Sequence, residues 1–297
     1  RCDLIITMPR LADMDPVTFC RGLRKKYSRK PLIMLAYNMA ELAGIPDEIL
    51  NTLVDRIFIW SGDASVFPAV IKYVEDTRNS SNDIRNGNVR AIIVVEDNPD
   101  YYSMFLPTIY TEIIYHTRQL MDKSLNDAHR LLRMRGRPKI LLATTYEEAE
   151  KLYQKYRKNL LGVISDIRFP KEGKSDKRAG VKLAKWIRKT DEAMPIILQS
   201  SQEDVAKLAA DIGTYFLHKY SGTFLRELRQ VILENFGFGD FVFRNPNGRE
   251  ILRVTNLYDF QEKVTEVPDK SITFHASHNH FSNWLAARGE FRTASLL

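Results

Sequence analysis

Cysteine is scarce in this chain of 297 residues: the sequence contains only Cys2 and Cys20. Two cysteines cannot build the disulfide framework of a small secreted protein, and their spacing matches no zinc-binding pattern. We therefore expect incidental or buried thiols in a reducing compartment.

Long apolar runs and a signal peptide are also missing. No stretch approaches the roughly 18 apolar residues that a membrane-spanning helix needs, and the first residues lack the pattern of a signal peptide. The sequence therefore predicts a soluble, cytoplasmic protein with no membrane partner. Because 44% of the residues are apolar, the chain can bury a full core, and its length suggests about two domains.

A nucleic-acid recognition pattern is absent as well, although the formal net charge is +7. Basic residues cluster at 21–26 and 130–137. Acidic residues are interspersed through much of the chain, and no recognition helix or zinc finger can be found. Solvated helix faces explain the basic clusters better, so we expect no nucleic-acid partner.

Strands alternate with helices along most of the chain, which predicts parallel α/β sheets. In the first part, strands are predicted at 4–7, 31–36 and 56–60. After residue 88 the alternation resumes with five strand candidates, near 91–95, 139–143, 160–165, 195–199 and 214–218. The fold class is therefore α/β, with a doubly wound five-stranded parallel sheet in the second part.

Composition divides the chain into four parts. The polar segment 79–88 predicts a linker between a first domain, 1–78, and a second domain, 89–236. After residue 236 the sequence predicts a β-hairpin over 241–254, with turn residues at its centre, followed by helical stretches at 257–264 and 281–297. The last part, 237–297, is thus a small α+β tail.

The first helix of the second domain is predicted to be unusually long. Asn98 can cap it and Pro99 can occupy its first position, and the helical pattern then runs almost to Gly136, about 36 residues or roughly 50 Å. Pro107 should bend it. Either two helices pack back on the domain, or 99–135 forms a protruding arm that supports a homodimer.

Polar side chains follow four of the predicted strands. The sequence places Glu96 and Asp97 after the first strand, Asp166 after the third, Ser200 after the fourth and Lys219 after the fifth. Functional groups of an open parallel sheet gather beyond the carboxyl ends of its strands. Three carboxylates, a hydroxyl and an ammonium group suit a Mg²⁺ ion and a phosphoryl group.

Through these positions, residues 89–236 resemble the receiver domain of two-component response regulators, the flavodoxin/CheY-like fold, over about half of the chain. The resemblance implies a phosphoacceptor that takes a phosphoryl group from a histidine kinase or phosphotransfer protein onto Asp166 and regulates an attached or associated output module. It implies no enzyme beyond self-phosphorylation and autodephosphorylation.

The resemblance also implies a Mg²⁺ site. Asp97 and Asp166 would bind the ion directly, Glu96 would help through water, and the backbone carbonyl of Arg168 would complete the protein ligands. Mg²⁺ prefers oxygen ligands of this kind.

The same resemblance implies a conformational switch. Lys219 would pair with one phosphoryl oxygen, and the Ser200 hydroxyl would move to bind another. Phe216 stands where the family places an aromatic side chain that changes rotamer with that movement.

The sequence departs from the family pattern next to the site. Tyr220 follows Lys219 where the family has proline and a cis peptide, so we expect a trans bond here. The loop after Asp166 is lengthened by the basic segment 171–178, which we interpret as a solvated insertion rather than a phosphate-attracting loop. Arg168 and Gln202 occupy variable flanking positions and leave the lifetime of the phosphorylated state open.

Residues 1–78 resemble the latter half of another receiver. The positions of the phosphoacceptor, the hydroxyl and the lysine are occupied by Met8, Ala36 and Trp60, so this lobe is predicted to be degenerate and structural. Its first strand resembles the third strand of a receiver, and we therefore expect an incomplete sheet. The chain as a whole then has two receiver-like lobes and the tail.

The tail, through 275–288, resembles a segment that follows receivers in multidomain proteins related to phosphoenolpyruvate synthase. The dikinase phosphohistidine motif is missing, so we expect no such activity in this chain. His275, His278 and His280 admit a metal site or packing roles, and we favour packing because no cysteine or clear fourth ligand accompanies them.

Two other functions compete with the phosphoacceptor. One is a non-phosphorylated receiver scaffold or dimerisation module of a phosphoenolpyruvate-synthase-like protein. The other, a Mg²⁺-dependent phosphatase, would need an acid/base aspartate two residues after Asp166, where the chain has Arg168.

Overall fold

The computed structural model describes residues 3–46, 48–122, 126–127, 130–131, 134, 136–202 and 204–296, and only the backbone at 51 and 204. Cys2 and parts of the basic run 130–137 lie outside the described residues. The strands are β1 (Ile5–Thr7), β2 (Leu32–Ala36), β3 (Arg56–Ile59), β4 (Ala91–Val95), β5 (Lys139–Ala143), β6 (Leu160–Asp166), β7 (Phe169–Lys171), β8 (Lys174–Asp176), β9 (Ile196–Ser200), β10 (Tyr215–His218), β11 (Phe241–Arg244) and β12 (Glu250–Val254).

The α-helices whose full ranges are described follow the same chain order. They are α1 (Pro16–Lys26), α2 (Val66–Gly87), α3 (Pro99–Asp122), α4 (Tyr146–Tyr156), α5 (Ala179–Thr190), α6 (Asp204–Asp211), α7 (Phe224–Asn235), α8 (Leu257–Lys263), α9 (Asp269–Ser277), α10 (His280–Ala287) and α11 (Phe291–Ala294). No described helix combines the length and apolar composition that a membrane span requires.

Backbone contacts divide the chain into two units, Arg1–Asn79 with Glu96–Tyr110, and Ser80–Val95 with Thr111–Leu297. The first unit contains a three-stranded parallel sheet of order β1-β2-β3. All five residues of β2 are buried, and the core around them includes Cys20, as expected for a buried thiol. Burial raises the pKa of the Cys20 thiol, which makes it a poorer nucleophile at neutral pH.

The second unit contains a five-stranded parallel sheet of order β10-β9-β6-β4-β5. Counted along the chain this is the order 2-1-3-4-5, which is the order of flavodoxin-like folds. Continuous apolar strands such as β4, in which every residue is buried, are typical of parallel sheets covered on both faces. The predicted five-stranded sheet is therefore confirmed.

The predicted linker 79–88 is helical as far as Gly87, because α2 continues to that residue. Tertiary contacts stabilise its polar end: Ile84 is buried in the core of the second unit, and the Ser81 hydroxyl lies 2.9 Å from the Tyr156 hydroxyl. Asn88 then ends the helix with a φ of 50°. Polar composition suggested a linker here, because composition carries no information on these tertiary contacts.

Helix α3 begins as predicted and its described range ends at Asp122. Asn98 Oδ1 accepts a hydrogen bond of 2.9 Å from the Asp100 amide, and Pro99 is the first helical residue. Pro107 lies inside the helix. Much of the segment from 123 to 135 lies outside the described residues, so the predicted arm and homodimer stay predictions.

The tail begins with the predicted hairpin, in which β11 and β12 are antiparallel. The predicted helix over 281–297 is interrupted, since Gly289 has a φ of 78° between α10 and α11. The buried Arg288 guanidinium donates to the carbonyls of Gly237 at 2.7 Å and Gly239 at 2.8 Å, and it lies 3.7 Å from the Trp284 ring centroid. These bonds fix the start of the tail against α10.

Candidate functional site

The candidate site lies at the carboxyl edge of the five-stranded sheet. The register brings the strand ends together through three pairs: Val95 with Ser165, Asp166 with Gln199, and Ser200 with His218. Because all these strands are parallel, the residues that end or follow them share one edge. The site residues that the sequence predicted therefore lie together at one edge of the sheet.

Three carboxylates form a cluster at this edge. Oxygen atoms of Glu96, Asp97 and Asp166 all lie within 4.8 Å of one another. Glu96 and Asp166 are buried, whereas Asp97 is exposed. Like charges at this separation repel one another unless a cation lies among them, and carboxylate oxygens are ligands that Mg²⁺ prefers. The donor set therefore fits a magnesium ion.

Lys219 supplies a protein cation to the same cluster. Its Nζ lies 2.9 Å from Asp166 Oδ1, with 5% of the lysine and 12% of the aspartate side chain exposed. The Lys219 amide donates a 2.8 Å hydrogen bond to the Ser200 carbonyl, which joins the ends of β9 and β10. Because little solvent screens this ion pair, its stability depends strongly on the charge of neighbouring groups.

Ser200 is buried at the end of β9, and its Oγ accepts a 3.0 Å hydrogen bond from the Gln202 amide. A hydroxyl that accepts this bond can still donate its own proton. Phe216 lies one strand away, half-buried against the core of the second unit. Ser200 and Phe216 therefore lie on neighbouring strands. The resemblance implies that the two side chains move together.

Arg168 is exposed, and its Nε donates to Ser175 Oγ at 3.2 Å. Its side chain is thus bonded to β8. The predicted role of its backbone carbonyl as a metal ligand stays a prediction. Every described peptide bond is trans, including the one between Lys219 and Tyr220, as predicted.

The basic insertion 171–178 is mostly exposed, as predicted, but it is regular: it contains β8 and the end of β7, which form an antiparallel pair. Glu172 and Gly173 have φ values of 52° and 71°, which suit a two-residue hairpin turn. The Glu172 amide donates to Glu147 Oε1 at 2.9 Å, and Lys171 Nζ lies 4.2 Å from the centroid of the Tyr146 ring. The hairpin therefore packs on the start of α4.

Gly180 is a residue of the site that sequence reasoning missed. A Cβ at this position would lie 2.0 Å from the Asp166 carbonyl oxygen, and the Gly180 amide donates to the Ile167 carbonyl at 3.0 Å. The first turn of α5 can approach β6 this closely only without a side chain. A glycine in the first turn of a predicted helix was the available signal.

The three tail histidines form hydrogen bonds through their ring nitrogens; His275 is buried, and His278 and His280 are half-buried. His275 Nε2 accepts a 2.8 Å bond from the Arg244 amide, so neutral His275 carries its proton on Nδ1 and donates it to His280 Nδ1 at 2.8 Å. His278 Nδ1 bonds the Phe274 carbonyl at 2.7 Å. Both nitrogens of His275 are therefore occupied, which favours packing over metal binding.

The corresponding edge of the first unit is apolar. The Trp60 amide bonds the Ala36 carbonyl at 2.8 Å, and the Trp60 ring stacks on Tyr37 with centroids 5.6 Å apart. Met8, at the predicted acceptor position, is half-buried. Among the described residues, the acidic cluster that could hold a metal ion is Glu96, Asp97 and Asp166, and none is formed by Met8, Ala36 or Trp60.

Comparison with solved structures finds a similarity to the crystal structure of a response regulator receiver domain protein from Clostridium thermocellum. The identity is 19%, the TM-score is 0.31, and the match covers 48% of this chain and 91% of that chain. No family model and no curated protein matches the sequence. The strand order and register given above therefore define the fold.

Proposed function

We propose that the five-stranded sheet and its helices form a receiver-type signalling module in which Asp166 accepts a phosphoryl group. The observation that carries this proposal is the buried contact of 2.9 Å between Lys219 Nζ and Asp166 Oδ1, beside two further carboxylates. A buried cation next to a carboxylate cluster can compensate the charge that a phosphoryl group adds.

In the proposed reaction an Asp166 carboxylate oxygen attacks phosphorus in line. The new oxygen–phosphorus bond forms an acyl phosphate while the bond from phosphorus to the donor breaks, and the donor leaves with the electron pair. A Mg²⁺ ion held by Glu96, Asp97 and Asp166 would neutralise negative charge on the phosphoryl group. Lys219 would move from the carboxylate to a phosphoryl oxygen, and water would later hydrolyse the acyl phosphate.

The donor in this proposal is a histidine kinase or phosphotransfer protein, and the response is conformational. Ser200 would donate its hydroxyl proton to the phosphoryl group, moving the loop after β9. Phe216 on the adjacent β10 would change rotamer with it and alter the surface presented to an output module.

Incubation with acetyl phosphate and Mg²⁺, followed by intact mass measurement, tests the proposal. We expect the mass of one phosphoryl group, lost on treatment with hydroxylamine as expected for an acyl phosphate. Asp166→Asn should remove the modification. Asp211→Asn, at an exposed carboxylate of α6, is the matched control and should retain it. An unmodified wild-type chain, beside a labelled control receiver, would favour a non-phosphorylated scaffold.

A further inference from the structure

A cavity lies at the amino-terminal ends of the strands, at the opposite edge of the sheet from the acidic cluster. Its volume is about 460 Å³. Its lining includes Arg90 just before β4, Leu160 at the start of β6 and Pro195 just before β9, together with the first turn of α10. The volume falls within the range of small-molecule sites in proteins.

Arg90 gives this cavity a half-buried cation. One guanidinium nitrogen, Nη1, donates to the Lys158 carbonyl at 2.6 Å, whereas Nε is buried without a hydrogen-bond partner. Burial lowers the pKa of Arg90, with no compensating carboxylate. Among the described residues none forms a salt bridge with Arg90. A half-buried guanidinium that forms no salt bridge favours an anion nearby.

Other groups add positive potential to the same cavity. Arg157 and Lys158 are exposed on its lining, and Asn279, Ser282 and Asn283 bring the amino-terminal end of α10 to it. No side chain caps that end of α10, so its amides and the helix dipole favour an anion.

One carboxylate, Asp191, also lines the cavity. Its Oδ1 accepts a 3.1 Å bond from the Ala193 amide. The lining therefore has three cationic residues, Arg90, Arg157 and Lys158, and one carboxylate, Asp191, which already accepts a hydrogen bond. The remaining wall is partly apolar, through Leu160, Met194 and Phe291.

We propose that this cavity binds a small organic phosphate, with the phosphate on Arg90 and the amino terminus of α10 and an apolar part against Phe291. A concave site with an apolar wall suits a small molecule better than an extended polyanion. The site is separate from Asp166 and does not depend on its phosphorylation.

Calorimetric titration of the full chain with adenosine monophosphate, adenosine and inorganic phosphate tests this proposal. We expect adenosine monophosphate to bind more tightly than inorganic phosphate and adenosine not to bind. Arg90→Ala should weaken binding at least tenfold. Lys185→Ala, at an exposed lysine of α5 outside the cavity, should bind as the wild type does.

A second variant keeps the test valid if Arg90→Ala does not fold. Ser282→Asp places a carboxylate in the first turn of α10, where it favours the helix but repels an anion, so it should fold and lose binding. Binding that is unchanged in Ser282→Asp, or lost in Asp166→Asn or without Mg²⁺, would overturn the proposal. So would no binding of either phosphate by the wild type.

Discussion

At the scale of single residues, the charge around Asp166 decides what the site can do. At a separation of 4.8 Å, two carboxylates repel one another by on the order of 3 kcal/mol for an effective dielectric constant near 20. Lys219 offsets part of this repulsion through its contact with Asp166. Lys219 contacts one of three clustered carboxylates, so a divalent cation bound among them would stabilise the cluster further.

Replacing this lysine should destabilise the protein. Lys219→Gln leaves the Asp166 carboxylate buried without its cation, and removal of one partner of a buried pair typically costs about 3–5 kcal/mol. We expect a lower free energy of unfolding in urea without Mg²⁺, and partial recovery when Mg²⁺ is added. Adding Asp166→Asn should recover stability without the ion. Equal stability of Lys219→Gln and the wild type would contradict this account.

Gly180 gives a steric prediction at the same scale. Gly180→Ala puts a Cβ 2.0 Å from the Asp166 carbonyl oxygen, so α5 must move away from β6 at a cost of roughly 1–3 kcal/mol. Thermal unfolding should show a lower midpoint and acetyl phosphate should label the variant more slowly. Gly222→Ala is the matched control, because nothing lies within 4 Å of its Cβ; similar losses in both variants would refute the steric argument.

At the scale of elements, β9 and β10 are the parts that would carry a signal. The bond from the Lys219 amide to the Ser200 carbonyl couples their ends. A movement of the Ser200 hydroxyl would therefore strain the neighbouring strand that contains Phe216. The tail hairpin β11–β12 packs in a separate apolar cluster.

Ser200→Ala tests this coupling. We expect acetyl phosphate still to modify Asp166, because the nucleophile and Lys219 are unchanged. In the wild type, hydrogen exchange should change on phosphorylation in the β9–α6 loop and β10 but not in β11–β12, and the variant should show no such change. An identical exchange response in Ser200→Ala would exclude this hydroxyl as the trigger.

The tail contains an element whose stability depends on pH. Burial, and then the charge of neighbouring histidines, lowers the pKa of both His275 and His280 from 6.5 to about 4. The unfolded chain therefore binds more protons than the native one between these values, and stability falls as the pH decreases from 6.5 towards 4. Urea unfolding at several pH values measures this slope.

His275→Gln should reduce that slope. His278→Gln removes the smaller contribution from the charge of His278 but leaves the burial and the bond between His275 and His280 in place, so it should keep most of the slope. If the slope is unchanged in His275→Gln and in His280→Gln, other groups cause the pH dependence of stability.

Some elements could be predicted from the sequence and others could not. Continuous apolar runs such as 91–95 identify buried parallel strands, and polar residues at their ends then share an edge by geometry. By contrast, the helical end of α2 depends on the contacts of Ile84 and Ser81 with distant parts of the second unit. The approach of Gly180 to Asp166 and the β7–β8 hairpin likewise depend on the turn after β6, which periodicity does not describe.

At the scale of the whole molecule, the chain contains two parallel sheets with different edges. The carboxyl edge of the five-stranded sheet has three carboxylates and Lys219. At the strand ends of the first unit lie Met8, Ala36 and Trp60, with Trp60 stacked on Tyr37. Because a thioether cannot form an acyl phosphate, we expect one phosphoryl group per chain, on Asp166.

Locating the modified residue tests this account most directly. Borohydride reduces an acyl phosphate on aspartate to homoserine, which peptide mass spectrometry can assign to a position. After treatment with acetyl phosphate and Mg²⁺, we predict homoserine at position 166 and at no other aspartate, including Asp97 and the residues of the first unit. Homoserine at Asp97, or none under conditions that label a control receiver, would contradict the assignment of Asp166 as the phosphoacceptor.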